Sequence, residues 1–276
     1  MKVRWNRVKT GMKAIKAYVS IIKNMLITTL SFRIDFIFRL IGNMLYIGLI
    51  YFLWEAIYAG QGDIKGLSFL EAFTYLAINS TIFVMLNTNM DWWLSSQIVH
   101  GGIMMQLIQP LDLHAYLITR SAGSAINGFI TSAVPSVAFL ILVFNVYIPG
   151  GINVFFGFIS LVFSFLMSSN INFITGSLAF SSQSIWGLKI IKDNTILFLS
   201  GAVVPLQFFP ASMQALLLVL PFQTMYHTPA MIFLGKAGTV ESLKMILIQI
   251  SWTIALFFLG RLFFHKLKVK ITINGG

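Results

Sequence analysis

Apolar residues run in long, nearly uninterrupted stretches along this chain, and the polar residues collect between them. A helix rises 1.5 Å per residue, so about 20 residues cross a 30 Å hydrocarbon core. Six stretches are assigned as spans on this ground: roughly Ile34 to Trp54, Phe69 to Met90, Tyr116 to Tyr147, Val154 to Phe180, the short Thr195 to Phe209, and Met245 to Phe264. The second has a polar middle at Asn79, Ser80 and Thr81. The third is too long for one straight span, and Pro135 predicts a kink in it. A membrane barrel would show alternating segments of roughly ten residues instead. The pattern therefore predicts an all-α polytopic membrane protein with six transmembrane helices.

Three segments outside the plain spans have patterns of their own. From Thr10 to Leu30, Lys13, Lys16 and Lys23 alternate with Ile15, Val19, Ile22 and Leu26. Spacings of three and four put one apolar stripe on a helix with lysines beside it, which predicts a basic amphipathic helix lying in the membrane interface. The loop from Ser95 to His114 holds Ile103, Met104, Leu107 and Ile108 between Gly101-Gly102 and Pro110. It predicts a short helix along the membrane, either a surface helix or a place for a soluble partner to push. From Ser200 to Gly235, Pro205, Pro210, Pro221 and Pro229 punctuate apolar pieces too short to span. Broken backbone at membrane depth is tolerated only where protein or a cavity covers it. The expectation is a span broken near Pro205, followed by one or two re-entrant or interfacial helices.

Composition sharpens the class. The chain has 276 residues, 57% of them hydrophobic and only 10% charged, against about 25% charged in soluble domains. Net charge is +11, but its position matters more than its sum. Eight of the 19 basic residues fall within the first 33 positions, and Arg261, Lys266, Lys268 and Lys270 close the chain. Such clusters flanking apolar spans mark the cytoplasmic side, and placing both ends inside with six spans satisfies that bias best. A nucleic-acid partner is set aside, since that charge does not sit on a soluble fold. The basic residues are interspersed with apolar ones over more than thirty positions, unlike a cleavable signal peptide. The expected layout is one membrane domain: a basic N-terminus over 1–33, a six-span core over 34–264 and a tail over 265–276.

Candidate chemistry is sparse. There is no cysteine, and no phosphate loop, zinc-binding His-Glu-x-x-His or Gly-x-Ser-x-Gly elbow. No acid falls in the middle of a span, which weighs against proton-coupled transport. No catalytic residue, metal site or cofactor is expected in the chain itself. Arg39 is the charge inside a predicted span. It can contact a substrate or gate, or it can snorkel and pair with Asp35 one turn earlier. Asn43, Asn79, Asn87 and Asn170 lie within or at the edges of spans. They can line a path or act as interhelical hydrogen-bond glue.

Local strings now carry a resemblance. They are Ser31-Phe32-Arg33-Ile34-Asp35-Phe36, the stretch Gly102 to Leu111, Ser184-Ile185-Trp186-Gly187-Leu188, and the ordered series Ser200-Gly201, Pro205, Phe209-Pro210, Leu220-Pro221-Phe222 and Gly235. In this order they resemble the permease subunits of ABC-2 type ATP-binding-cassette exporters, over most of the chain. The chain departs from the family pattern just after Gly102, where Ile103 and Met104 stand in place of a charged residue.

The resemblance implies a coupling helix between spans two and three, with Gly102, Ile103, Met104, Leu107, Ile108 and Pro110 as the ATPase-coupling candidates. It implies an outer re-entrant region around Pro205, Pro210, Pro221 and Phe222. It further implies a dimer with an identical or different permease, two separate ATPase subunits that hold ATP and Mg, and residence in the cytoplasmic membrane of a prokaryote. Arg39, Asn43, Asn79, Asn87 and Asn170 are the candidates for the translocation path. The rival is a channel or ion-coupled carrier that needs no ATPase.

Overall fold

The computed structural model describes residues 7–31, 33–60, 62–146, 150–182 and 184–268, with side chains at 16–28, at 34 and from 36 onward within those ranges. The Lys13 and Ile15 positions of the amphipathic stripe, and the Asp35 partner expected for Arg39, have side chains outside the described residues. The described residues form helices and no strand, in keeping with an all-α polytopic membrane protein.

In chain order the helices are α1 (Arg7–Ser31), α2 (Arg33–Tyr58), α3 (Phe69–Leu86), α4 (Met90–Val99), α5 (Ile103–Leu107), α6 (Leu113–Gly128), α7 (Val134–Phe144), α8 (Ile152–Ser177), α9 (Trp186–Leu199), α10 (Ala211–Val219), α11 (Gln223–Phe233) and α12 (Thr239–Leu267). Among the described residues, five stretches are long and apolar enough to cross a membrane: Phe36–Tyr58, Phe69–Val99, Leu113–Phe144, Ile152–Phe180 and Thr239–Leu267. A sixth arises if α10 and α11, bent by 103° at their junction, count as one broken span.

Local chemistry explains the boundaries. Ser68 and Glu71 form a reciprocal capping box at the start of α3, satisfying two otherwise orphaned N–H groups. Asp112 caps α6 by accepting from the Ala115 N–H at 2.9 Å. The second predicted span is interrupted: α3 ends at the Asn87 cap, and Asn89 adopts a left-handed φ of 50° before α4 resumes at Met90. In the third span a π turn, Phe129–Ala133, joins α6 to α7 immediately before Pro135. Proline has no N–H and its ring crowds the preceding turn, and the wider π turn makes room for it. The expected distortion thus falls one turn ahead of the proline.

The fifth predicted span is the main correction. Thr195 to Phe209 is not a continuous helix. Helix α9 starts nine residues earlier and stops at Leu199, and Gly201 turns the chain with φ +77°. A 3-10 turn, Leu206–Phe208, follows Pro205. Lys189, Lys192 and Asp193 belong to this helix, whereas run-length counting treats them as loop charges.

Contacts give the bundle two ends. At one end the α4 start meets the first turns of α9 through Asp91 and Lys192, and Asp112 meets Arg261 of α12. At the other, Glu71 pairs with Lys236 at 2.6 Å, and Trp54 packs edge-on against Phe208. The start of α2 and the end of α12 therefore share the Asp112 end. The core lies where α3, α8 and α11 meet, with Tyr75, Phe73 and Met167 fully enclosed. By contrast α2 keeps Phe38, Leu45, Leu49 and Phe52 outward, each more than 60% exposed. So much apolar area requires lipid or another protein against it.

Two close approaches hold the layers together. A Cβ on Gly176 of α8 would meet the Asp91 carbonyl oxygen and Leu94 Cβ at 3.0 Å. A Cβ on Gly123 of α6 would meet Met25 of α1 at 2.7 Å. Gly176→Val should force α4 off α8 and lower stability by about 1–3 kcal/mol, seen as a lower thermal midpoint in detergent. The same change at Gly187, which has open space around it, should leave that midpoint nearly unmoved.

Candidate functional site: a polar cleft, a charged cluster and an apolar knob

Four of the five path candidates come together. Arg39 and Asn43 of α2, Asn79 of α3 and Asn87 at its end line one cleft of about 450 Å³, closed on its far side by Leu197, Ala202 and Val203. Asn43 donates to Ser136 Oγ at 2.8 Å, tying α2 to α7. Asn79 is buried and donates to the Gly201 carbonyl at 3.4 Å, while its Oδ1 has no partner. Asn170 lies elsewhere, in the seam between α8 and α12, where it donates to the Thr253 carbonyl at 3.5 Å.

The wall behind the cleft is the broken segment. Tyr75 Oη donates to the Gly201 carbonyl at 2.9 Å and lies 3.0 Å from His227 Nδ1 of α11. Gln249 of α12 donates to the Thr224 carbonyl at 2.7 Å. Pro205 and Pro221 are buried, Pro210 is exposed and Phe222 is half-buried. Helix α11 is enclosed along most of its length, with Gln223, Thr224, His227 and Thr228 all buried. The turn before Pro205 thus leaves the Gly201 carbonyl to side-chain donors inside the protein.

Below the cleft sits a charged cluster that the sequence reading leaves as scattered loop charges. Asp91 at the start of α4 is wholly buried. Lys192 reaches its Oδ2 at 2.6 Å and donates to Asn172 Oδ1 of α8 at 2.5 Å. Lys189 lies 3.5 Å from Asp91 Oδ1, and both lysines are 2.9 Å from Asp193. Lys189 is outside the helices long enough to span. Burial works against its charge, but Asp193 and Asp91 outweigh that and hold its pKa above the ordinary lysine value. The available signal was the one-face spacing of 189, 192 and 193 together with an opposite charge in a loop predicted on the same side.

The loop between α4 and α6 carries the coupling candidates. Gly102 precedes α5, and Ile103 turns inward against Met90, Leu94, Leu113, Leu117 and Phe173. Met104, Leu107 and Ile108 turn outward, with Ile108 75% exposed. Met105 joins them, and Pro110 follows in the exposed return strand of the loop. One inward isoleucine thus anchors an outward apolar knob.

Helices long and apolar enough to span, a broken segment cloaked by the core and a polar cleft beside it define a polytopic membrane protein. Residues 44–275 match the model of the ABC-2 family transporter proteins. The match covers most of the chain, so the chain belongs to that family and is a membrane permease of an ABC transporter. A comparison with curated proteins finds none that matches.

The charged cluster is testable on its own. Asp91→Asn removes the wholly buried carboxylate, leaves Lys189 and Lys192 to share the part-exposed Asp193, and should cost about 1.5–3 kcal/mol, read as a drop in thermal midpoint. Exchanging the charges, Asp91→Lys with Lys192→Asp, should recover part of the loss.

Proposed function

We propose that this permease is the membrane subunit of an exporter, and that it works as a dimer driven by separate ATPase subunits docked on α5. The observation that carries the proposal is the apolar knob of Met104, Met105, Leu107 and Ile108. It is exposed on a helix that Ile103 fastens to α4, α6 and α8. A water-facing cluster of this kind is costly unless a partner covers it. ATP and Mg belong to the partner subunits, where hydrolysis supplies the energy.

In this reading a push on α5 passes through Ile103 into α4. The Asp91 cluster hands it to α9 at Lys189 and Lys192. The far end of α9 leads into Ala202 and Val203, which wall the cleft holding Arg39, Asn43, Asn79 and Asn87. Motion there changes access to the cleft. The outward face of α2 meets a second permease, identical or different, so that two clefts flank one path. Both termini and α5 face the cytoplasm of a prokaryotic cell, following the basic residues at the two ends of the chain.

The test is purification from the native membrane in mild detergent. ATPase subunits should co-purify with the wild-type chain and be lost with Leu107→Asp and Ile108→Asp, while the variants keep the wild-type thermal midpoint. A wild-type chain that purifies without them and still moves solute in liposomes without ATP sinks the proposal in favour of a channel or carrier.

A further inference from the structure

A pocket of about 300 Å³ lies between α1, α4 and α6, apart from the transport cleft except for a shared edge at Asn89. Arg120 of α6 is its cationic lining residue, and Trp92, Trp93, Ser96, Ser121 and Ser124 stand around it. The Arg120 guanidinium carbon sits 4.4 Å above the Trp93 ring. Stacking fixes the plane of the fork and leaves its edge N–H groups directed away from the ring. Arg120 has no carboxylate in ion-pair range among the described residues, and no acid lines the pocket. The Thr88 hydroxyl, also in the lining, is buried with no hydrogen-bond partner among the described residues, and Ser121 is buried.

A half-buried guanidinium beside an unpartnered hydroxyl and further serines is a poor arrangement for an empty site and a good one for an oxyanion. A planar fork matches two oxygens of a phosphate at once, and hydroxyls supply the remaining donors. The surroundings identify the bearer of that phosphate. Arg120 lies seven residues into α6, about 10 Å from the start of a stretch long and apolar enough to span. Trp92 is half exposed at the pocket mouth, the position indoles favour at a membrane surface. Helix α1, which reaches the pocket at Met25, also carries the exposed Lys16 and Lys23. Further along α6 and the π turn, Ile126 and Ile130 are exposed and offer an apolar track running deeper into the membrane. A soluble anion would have no use for that track.

We propose that this pocket binds the phosphodiester headgroup of an anionic phospholipid, with Arg120 as the phosphate ligand, Thr88, Ser121 and Ser124 as hydroxyl donors, and the acyl chains laid along α6. Bound there, the lipid joins α1 to α4 and α6. Its loss would loosen the N-terminal helix without touching the transport cleft or α5.

The experiment uses the full chain in neutral maltoside micelles carrying equimolar phosphatidylglycerol and phosphatidylcholine, read by native mass spectrometry. Phosphatidylglycerol should be retained over phosphatidylcholine by about fivefold or more, the effect of one interfacial arginine. Arg120→Gln should bring the two lipids to parity, and Arg120→Lys, which keeps the charge but not the fork, should fall between. Ser124→Met fills the pocket without removing Arg120 and should also abolish the preference, which separates pocket loss from charge loss. Equal retention of both lipids by the wild type, or an unchanged preference in both Arg120→Gln and Ser124→Met, overturns the proposal. So does stabilisation by millimolar inorganic phosphate as large as that by phosphatidylglycerol, which would make the site one for a free anion. None of these readouts depends on ATPase subunits, so failure here leaves the export proposal standing and the reverse also holds.

Discussion

The dominant constraint on this chain is that a backbone carbonyl freed inside a membrane must find a donor within the protein. The segment after α9 breaks that rule locally and survives because side chains answer it. Tyr75 serves the Gly201 carbonyl and Gln249 serves the Thr224 carbonyl. Those two donors come from α3 and α12, so the broken segment can exist only where both are already packed around it. The burial of α3 and the enclosure of α11 are two sides of one requirement. The cleft with Asn79 follows from it, since a helix that stops early leaves volume beside the one it was packed against.

The charged cluster obeys the same logic in another form. Two lysines and two aspartates balance, and Asn172 takes up a remaining donor of Lys192. Buried ions add little net stability, yet removing one partner leaves the others stranded. Such a cluster therefore fixes registration between α4, α8 and α9 more than it strengthens the bundle. It also gives the loop that carries α5 a stiff connection to the segment lining the cleft. Family membership establishes a permease of an ABC transporter, and this connection is the physical basis on which a coupling route can be argued.

Much of the fold was legible in the sequence because one variable, the length of apolar runs, governs it. Five spans overlap their expected places, although the second runs on to Val99 and the last starts at Thr239, and the proline-rich segment forms short bent helices. The fifth span was misplaced because Lys189, Lys192 and Asp193 count as loop when scored one residue at a time. Their place becomes visible only with the partner of Lys192, which lies 101 positions away. Arg39, Asn43, Asn79 and Asn87 converge because polar side chains in apolar helices have few places to turn. Asn170 obeys the same rule but faces another seam, and hydropathy does not record which face of a helix meets which neighbour. The roles of Tyr75, His227 and Gln249 were hidden for that reason too.

Helix α9 has 14 residues with three charges among its first eight. A segment so short and polar has little reason to leave the translocation machinery for lipid by itself. Asp91 precedes Lys192 by 101 positions, so the helix that bears the buried carboxylate is made before the lysine that pairs with it. The hydroxyl of Tyr75, synthesised earlier still, is waiting for the turn at Gly201. The Gln249 donor lies on α12 and comes last, so the broken segment has all its partners only once the whole chain is in the membrane.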